Sequence, residues 1–294
     1  MQSGSTFTDN IVIDHNVFNL QVKPAKDPTM SHPILERAAQ NGVTLDMHGA
    51  VAVVTLRRPA KRNALSDSLI EAIRDTFQNL PEAAKAAVID GEGEHFCAGL
   101  DLSELKERDA GEGVHHSRGW HVALDAVQYG RVPVIAALHG AVVGGGLELA
   151  SASHIRVADE STFYALPEGT RGIFVGGGGS VRIPKLIGVA RMTDMMLTGR
   201  VYDAIEGERL GFAQYLVPQG QALDKAIELA TRIATNAPLT NYALMHALPR
   251  IAEQPADHGF LTEALMSSIA QAAPEAKARV RAFLEGKAPK VQKQ

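Results

Sequence analysis

Residues 132–160, VPVIAALHGAVVGGGLELASASHIRVADE, contain the pattern that decides the fold. The apolar run VPVIAALHG predicts a buried strand, and HIRVADE predicts a second one. Between them, three consecutive glycines lead into GLELASASH, which is apolar or small on nearly every helical face and therefore predicts a buried helix. This succession of strand, helix and strand indicates an α/β sheet with crossover connections.

The segments before residue 132 continue the alternation of strands and helices. GAVAVVTL (49–56) and AAVIDG (86–91) are short runs that predict strands. SDSLIEAIRDTFQNL (66–80) carries its apolar residues at helical spacing, with Ser66 as the predicted N-cap. These segments predict an α/β core over residues 43–195.

The two ends of the chain differ from this core. Residues 1–42 include VKPAKDPTMSHP, with three prolines and little periodicity, so they predict an N-terminal extension in which translation could begin at Met30. Beyond about residue 195, segments rich in Ala and Leu alternate with Pro and Gly. Residues 196–294 are therefore predicted to form a helical C-terminal portion, packed on the core or on a neighbouring subunit.

The composition narrows the classes of function. The 294 residues are 45% apolar, with a formal net charge of −4, so no broad basic surface for nucleic acid is predicted. No apolar run approaches the roughly 20 residues that span a bilayer, and the first residues lack the features of a signal or transit peptide. The single cysteine, Cys97, allows no internal disulfide and favours a reducing, cytoplasmic location.

Glu148 is the residue that the central stretch does not explain by packing alone. A dinucleotide-binding turn would need a third glycine where Leu149 stands, no P-loop lysine is present, and Glu148 would itself repel a phosphate. The glycine turn could instead hold a transient oxyanion, with Glu148 as an acid or base beside it. The competing interpretation is a buried ion pair with an arginine. Burial raises the pKa of Glu148 and the helix N-terminus lowers it, so its net direction stays open.

Two further segments add candidates to Glu148. Glu168, in STFYALPEGTRGIFVGGGG, is a second carboxylate beside glycine-rich backbone, and two such groups suit acid–base work on one substrate. Its alternative is a solvated loop residue. EHFCAGLDLSEL (94–105) has a turn of small residues whose N–H groups could donate to an oxyanion, and Asp101 is a candidate N-cap for the next helix. Cys97 is interpreted as a small buried hydrophobe.

Taken in order, five segments resemble the crotonase, or enoyl-CoA hydratase/isomerase, superfamily. The resemblance runs from about Val43 to the C-terminus. It implies a crotonase-like fold, with a spiral core of repeated β-β-α units and a C-terminal helical portion that mediates oligomerisation and covers the active site. It also implies a homo-oligomer, either a trimer or a dimer of trimers. The segments are RRPAKRNALS (57–66), FCAGLDLSEL (96–105), PVIAALHGAVVGGGLELA (133–150), ALPEGTRGIFVGGGGSVRIPKLIG (165–188) and LTGRVYDAIEGERLGFAQYLV (197–217).

The resemblance also implies roles for named residues. The N–H groups of Leu100 and Gly145 would form an oxyanion hole for an acyl-CoA thioester, and Glu148 and Glu168 fall where hydratases have their two glutamates. The implied reaction is hydration of a 2-enoyl-CoA, with Glu148 as base toward water and Glu168 as proton donor to the α-carbon. Coenzyme A would be part of the substrate, with no separate cofactor and no metal. Its implied contacts are Ala64, Ala98 and Leu102.

Several alternatives remain open at this level. Double-bond isomerases, hydratase-lyases, decarboxylases and thioester hydrolases of the family share the oxyanion hole, and a non-catalytic, RNA-binding relative is the alternative from another class. The resemblance also implies an acyl pocket on the helix that carries Trp120. Two departures concern the acyl substrate, because His154 stands where Asp is common and Val175 where Pro is common. His115, His116 and His121 belong to the same predicted helix as Trp120.

Overall fold

The computed structural model describes residues 32–104 and 106–287, so Met30 and the first 31 residues of the predicted extension lie outside the described residues. The described strands are β1 (Val43–His48), β2 (Val51–Leu56), β3 (Ala86–Gly91), β4 (Val134–Leu138), β5 (Ala141–Val143), β6 (Ile155–Asp159), β7 (Phe163–Ala165), β8 (Val201–Asp203) and β9 (Tyr215–Val217). The described α-helices are α1 (Pro33–Gln40), α2 (Asp67–Gln78), α3 (Ala110–Gln128), α4 (Gly145–Ala152), α5 (Gly179–Ile187), α6 (Val189–Thr198), α7 (Ala204–Leu210), α8 (Ala222–Ala234), α9 (Pro238–Tyr242), α10 (Leu248–Ile251), α11 (Ala256–Ala272) and α12 (Pro274–Leu284).

Two sheets share the strands. The larger sheet has the order β1-β2-β3-β4-β6-β9, and the smaller has the order β5-β7-β8. In the larger sheet only the β1–β2 pair is antiparallel. Along the chain, β4 and β6 enter the larger sheet, and the strand that follows each of them enters the smaller one before a helix begins. This repeated β-β-α spiral is the crotonase-like α/β fold predicted from the resemblance.

The inner strands of the larger sheet are buried on both faces. Side chains alternate along its strands, so that Val88 and Ile135 contact one apolar cluster, which includes α8, while Ile89 and Leu138 contact the main core. All six residues of β3 are buried. Double-sided burial explains why the inner strands read as continuous apolar runs rather than as alternating patterns.

The predicted helix and strands at the centre of the fold are confirmed. The helix predicted over 66–80 is α2, and the Ser66 hydroxyl accepts a hydrogen bond from the Leu69 N–H at 3.1 Å, as expected of an N-cap. The predicted strand at 49–56 begins two residues later than expected, because Gly49 lies in a turn with a φ of +62°. That turn joins β2 to the edge strand β1, which the sequence analysis did not predict because its outer residues are exposed.

Two predicted domain boundaries need correction. The compact unit begins at Pro33 rather than at residue 43, because α1 packs on α2 with Ala38 buried. The portion after residue 195 is not purely helical, since β8 pairs with β7 and β9 extends the larger sheet beside β6. Its role in oligomerisation and in covering the active site stays a prediction.

The C-terminal helices leave many large apolar side chains exposed, among them Phe260, Leu265 and Phe283. None of the helices in the described part of the chain combines the length and the apolar character needed to cross a bilayer. The cytoplasmic location stays a prediction.

Candidate active site

One cavity of about 420 Å³ brings together the four groups that the sequence analysis assigned to chemistry. Leu100, Gly145, Glu148 and Glu168 all border it. Leu100 lies in the loop after β3, Gly145 is the first residue of α4, Glu148 is in the first turn of the same helix, and Glu168 follows β7. Segments that follow strands of both sheets therefore bring residues from three distant parts of the chain around one space.

Two backbone N–H groups at this cavity have no intramolecular acceptor. Neighbouring hydrogen bonds fix the first loop, because Leu65 donates to the Gly99 carbonyl at 2.7 Å and Asp101 donates to the Leu65 carbonyl at 2.9 Å. Between them, the N–H of Leu100 has no acceptor among the described residues, and neither does the N–H of Gly145 at the start of α4. Both residues can therefore donate to an oxygen bound in the cavity.

Glycine is required on the floor of the site for steric reasons. Gly144 has a φ of +54°, and a Cβ on it would lie 2.6 Å from Glu168 Oε1. A Cβ on Gly146 would lie 2.3 Å from the Cys97 carbonyl oxygen. The glycine run thus lets the loop before Leu100 and the carboxylate of Glu168 approach the start of α4.

We expect Gly146→Ala to lower the free energy of unfolding by about 1–3 kcal/mol, because the new methyl group overpacks a rigid contact between backbone segments. Gly119→Ala is the matched control. A Cβ on Gly119 would meet no atom within 4 Å. Gly119 is exposed in the middle of α3, so alanine there should raise the free energy of unfolding by about 0.5–1 kcal/mol. Urea unfolding of both variants checks the signs, and equal effects would contradict the steric argument.

Glu148 is buried and is held by backbone donors rather than by an arginine. Its side-chain Oε1 accepts hydrogen bonds from the N–H groups of Gly177 and Gly179, both at 2.8 Å. Burial raises the pKa of Glu148, and these two bonds oppose the rise without cancelling it. The ion-pair interpretation is therefore wrong, because the nearby Arg182 pairs with Asp125 at 2.7 Å.

Arg182 supports the glycine run that holds Glu148. Its Nη1 donates to the Gly177 carbonyl at 3.0 Å, and its Nε donates to Gln128 on α3 at 2.6 Å. Together with the Asp125 pair, these bonds fix the run between α3 and α5. The glycine run before α5 precedes a helix, as the run before α4 does, and this pattern could have indicated its free N–H donors.

Glu168 is also buried, so the solvated-loop interpretation is wrong. The residue is 7% exposed and starts a 3-10 turn over Gly169–Arg171. Burial raises its pKa to about 7, and the negative charge of Glu148 contributes to the rise. Its Oε2 has no hydrogen-bond partner among the residues that the structure describes. A carboxyl group of this kind can hold or release a proton near neutral pH.

The cavity bordered by Leu100, Gly145, Glu148 and Glu168 is the candidate catalytic cavity, and its other walls combine aromatic, apolar and basic groups. Trp120 is 5% exposed and borders it together with Val175 and Phe174. Of the three histidines predicted near Trp120, only His116 borders this cavity, and its Nε2 lies 2.7 Å from Asp67 Oδ1. The helix predicted there is confirmed as α3.

The three residues assigned to coenzyme A contacts do not border the catalytic cavity but lie in the two segments that flank its Leu100 side. The Ala64 carbonyl accepts a hydrogen bond from Arg58 at 2.6 Å, and the Ala98 N–H donates to the Arg62 carbonyl at 2.9 Å. Leu102 is 49% exposed. Their contact with coenzyme A stays a prediction.

Asp101 caps the short 3-10 helix Leu102–Glu104 that directly follows it, because its carboxylate accepts the Ser103 N–H at 3.1 Å, but it does not cap α3. Its carboxylate pairs with Arg58 at 2.8 Å and Lys61 at 3.2 Å and accepts the Ser103 N–H, while α3 begins later, with Asp109 in a capping box. The ion pairs hold the two flanking segments together. Asn63, which was not predicted, is fully buried. Its Nδ2 donates to the carbonyls of Glu92 and His95 in the loop after β3.

Cys97 is a buried hydrophobe, as predicted. It is fully buried, its thiol donates to the Asn63 carbonyl at 3.1 Å, and burial raises its pKa to about 12. A thiol with so high a pKa is a poor nucleophile. The candidate groups for chemistry in the cavity are therefore its carboxylates and backbone donors.

Comparison with known proteins identifies the family of the chain. The family model described as enoyl-CoA hydratase/isomerase matches residues 46–294. Enoyl-CoA hydratase EchA19 of Mycobacterium tuberculosis is 32% identical, over 84% of this chain and 95% of its own, and carnitinyl-CoA dehydratase of Salmonella enteritidis is 35% identical, over 74% and 83%. A crystal structure from Rhodopseudomonas palustris, provisionally assigned as an enoyl-CoA hydratase, is 61% identical with a TM-score of 0.82, over 84% of this chain and 95% of its own.

The family model covers well over half of the chain, and the β-β-α spiral agrees with the solved structure from Rhodopseudomonas palustris. The chain therefore belongs to the enoyl-CoA hydratase/isomerase family of the crotonase superfamily.

Proposed function

We propose that this protein hydrates a 2-enoyl-CoA thioester to a 3-hydroxyacyl-CoA. The observation that carries the proposal is the meeting of Glu148 and Glu168 with the unpaired N–H groups of Leu100 and Gly145 in one cavity of about 420 Å³. Members of the family that move a double bond need one acid–base group, whereas addition of water needs one group for the water and one for the carbon skeleton.

The proposed mechanism is a conjugate addition. The two N–H groups bind the thioester oxygen and stabilise the negative charge that develops on it, which makes the β-carbon electrophilic. Glu148 accepts a proton as the water oxygen bonds to the β-carbon, and the electrons of the double bond form an enolate. Glu168 then delivers a proton to the α-carbon, and the carbonyl is restored. Proton exchange with solvent then returns Glu148 to its ionised form and Glu168 to its protonated form, so the net change is the addition of one water molecule without any exchange of electrons.

The surroundings of the two carboxyl groups differ. Burial raises the pKa of Glu148, and two backbone N–H bonds oppose that rise, whereas Glu168 has a pKa of about 7 and an Oε2 without a hydrogen-bond partner among the described residues. Glu168 can therefore hold or release a proton near neutral pH, while the donors to Glu148 favour the ionised form that the proposed base needs. Because the two carboxylates influence each other, the pair shares its proton affinity.

The experiment that tests the function is product identification. Loss of the conjugated absorbance of a short trans-2-enoyl-CoA, with a product heavier by one water, is the expected result. A shifted double bond, free coenzyme A, a decarboxylated product or a cleaved carbon chain would each replace hydration by another reaction of the family. Salt-dependent RNA binding without turnover of any acyl-CoA would instead support a non-catalytic role.

The wider expectations about partners rest on the same proposal. Coenzyme A enters as part of the substrate, and backbone at Ala64, Ala98 and Leu102 would contact it. The exposed apolar side chains of α11 and α12 support a homo-oligomer, either a trimer or a dimer of trimers. Sedimentation analysis of the full chain measures that state.

We expect Arg182→Met to lower kcat for hydration by about 10- to 100-fold with a smaller change in KM, because Arg182 positions the glycine run that holds Glu148. The charge of Arg182 also lowers the pKa of Glu148. Its removal should therefore shift the acidic limb of the pH–rate profile to higher pH. A purely structural loss would lower the active fraction without moving that limb. Lys185→Met, which removes a neighbouring cation on α5, should leave the profile in place.

A further inference from the structure

A second cavity, of about 730 Å³, lies on the other side of the glycine run from the catalytic cavity. Gly176 and Gly177 border the catalytic cavity, whereas Gly178 borders the second one, and no bordering residue is common to both. The walls of the second cavity come from α3, α5, the end of α4 and the segment from the end of α8 to α10. The proposed mechanism assigns no role to this space.

Positive charge predominates on its walls. Four cationic side chains border it, Arg118, Arg156, Arg182 and Lys185, against one carboxylate, Asp125. Arg182 pairs with Asp125, and Lys185 pairs with Glu253. Arg118 and Arg156 therefore contribute charge that those carboxylates do not neutralise.

Arg156 is the most unusual of these cations because it is buried without a carboxylate partner among the described residues. It is 3% exposed, its Nε donates to the Phe212 carbonyl, and its Nη1 donates to the Ser153 carbonyl, both at 2.7 Å. Its Nη2 has no hydrogen-bond partner among those residues. A buried, unpaired guanidinium is costly, and an anion in the cavity would relieve that cost.

His121 and His154 also border the cavity, and they do not change its excess of positive charge. Burial lowers the pKa of His154 to about 4, so the ring is neutral at physiological pH, and its Nδ1 accepts the Val134 N–H at 3.0 Å. Burial and the charges of Arg118 and Arg182 lower the pKa of His121. Burial lowers the pKa of Arg156 to about 10, which is still well above neutral pH, so that side chain stays charged.

The C-terminal segment gives the cavity a mainly apolar wall. Ile233, Leu244, Met245 and Pro249 border the cavity from that segment, beside Asn236 and Asn241, and Leu186 borders it from α5. A ligand that satisfies both walls needs an anionic head and an apolar body. We propose that the second cavity binds a carboxylate with an apolar body, whose head pairs with Arg156 in the field of Arg118 and whose body packs against Leu244 and Met245.

Octanoate is the probe that tests this site, by calorimetric titration of the full chain without any acyl-CoA. We expect saturable binding of one octanoate per chain. Octanamide has a similar apolar body without the charge, and acetate has the charge without the body. Each should bind at least about tenfold more weakly than octanoate. Equal binding of octanoate and octanamide, or no binding of octanoate, would overturn the proposal.

Variants and a crystal structure locate the bound molecule. Arg118 is exposed, so Arg118→Gln should fold and should weaken octanoate binding by about tenfold, whereas Arg209→Gln, at an exposed arginine away from the cavity, should not weaken it. In the crystal the carboxylate should contact the Arg156 guanidinium. A carboxylate found in the catalytic cavity, or a second copy of the chain filling the site, would refute the assignment. Because no turnover is measured, failure of the hydratase proposal would leave this result unaffected.

Discussion

Glu148→Gln should lower kcat for enoyl-CoA hydration by about 10²- to 10⁴-fold, the usual contribution of a positioned general base. Glutamine cannot accept the proton that leaves the attacking water. Its side-chain oxygen can still accept the N–H bonds of Gly177 and Gly179, so the glycine run should keep its place. Initial rates with a short trans-2-enoyl-CoA, measured with substrate varied, separate this loss of kcat from a change in KM.

The control for this variant makes the same chemical change away from the site. Glu160 is exposed and follows β6, so Glu160→Gln should leave both kcat and the unfolding curve unchanged. Glu148→Gln should unfold at least as late as the unmodified chain at pH 8, because it removes a buried carboxylate whose pKa burial raises. Activity within about threefold of the unmodified chain would remove Glu148 from the mechanism.

The sequence predicted the inner part of the fold better than its edges. Strands such as β3 and β4 are buried on both faces and therefore form unmistakable apolar runs. The edge strand β1 carries exposed side chains, and β5, β8 and β9 have three residues each, too few to show a period. Pairing between distant segments, not local preference, decides these elements.

The site shows a similar division. Glu148 and Glu168 could be singled out as candidate acid–base groups because an isolated carboxylate in an apolar or glycine-rich segment requires an explanation. Their meeting with each other and with Leu100 was inferred only from the family resemblance, since separation along the chain does not fix a distance in space. The support from Arg182 was not predicted, because that contact depends on how α3 and α5 pack.

Glu168→Gln should lower kcat by a comparable factor, about 10²- to 10⁴-fold, and should also change its pH dependence. In the unmodified chain, hydration requires the protonated form of Glu168, so the rate should fall as the pH rises above about 7, where that carboxyl ionises. Glutamine does not titrate, so the residual rate of the variant should lose this alkaline limb. A limb that persists in the variant would assign the ionisation to another group.

Glu168→Gln should lower the activity but raise the stability of the folded chain at alkaline pH. The pKa of Glu168 rises from 4.5 to about 7 on folding, so the folded state binds a proton more tightly between these values. The stability from this group is full below about pH 4.5 and is lost as the pH rises through 7. Glu168→Gln avoids that loss, so it should be more stable than the unmodified chain at pH 8, by about 1–3 kcal/mol, with little difference at pH 4.

Proton exchange separates the roles of the two carboxylates more sharply than rates do. In D2O, a saturated acyl-CoA can exchange its α-hydrogen through the enolate, and this step needs the oxyanion donors and the group at the α-carbon but no attacking water. The unmodified chain and Glu148→Gln should therefore catalyse exchange, whereas Glu168→Gln should not. Mass spectrometry of the recovered thioester measures the incorporated deuterium. If Glu168→Gln still exchanged the α-hydrogen and Glu148→Gln did not, the roles of the two glutamates would be reversed. Both residues would still act in the same cavity, beside the glycine turn of α4.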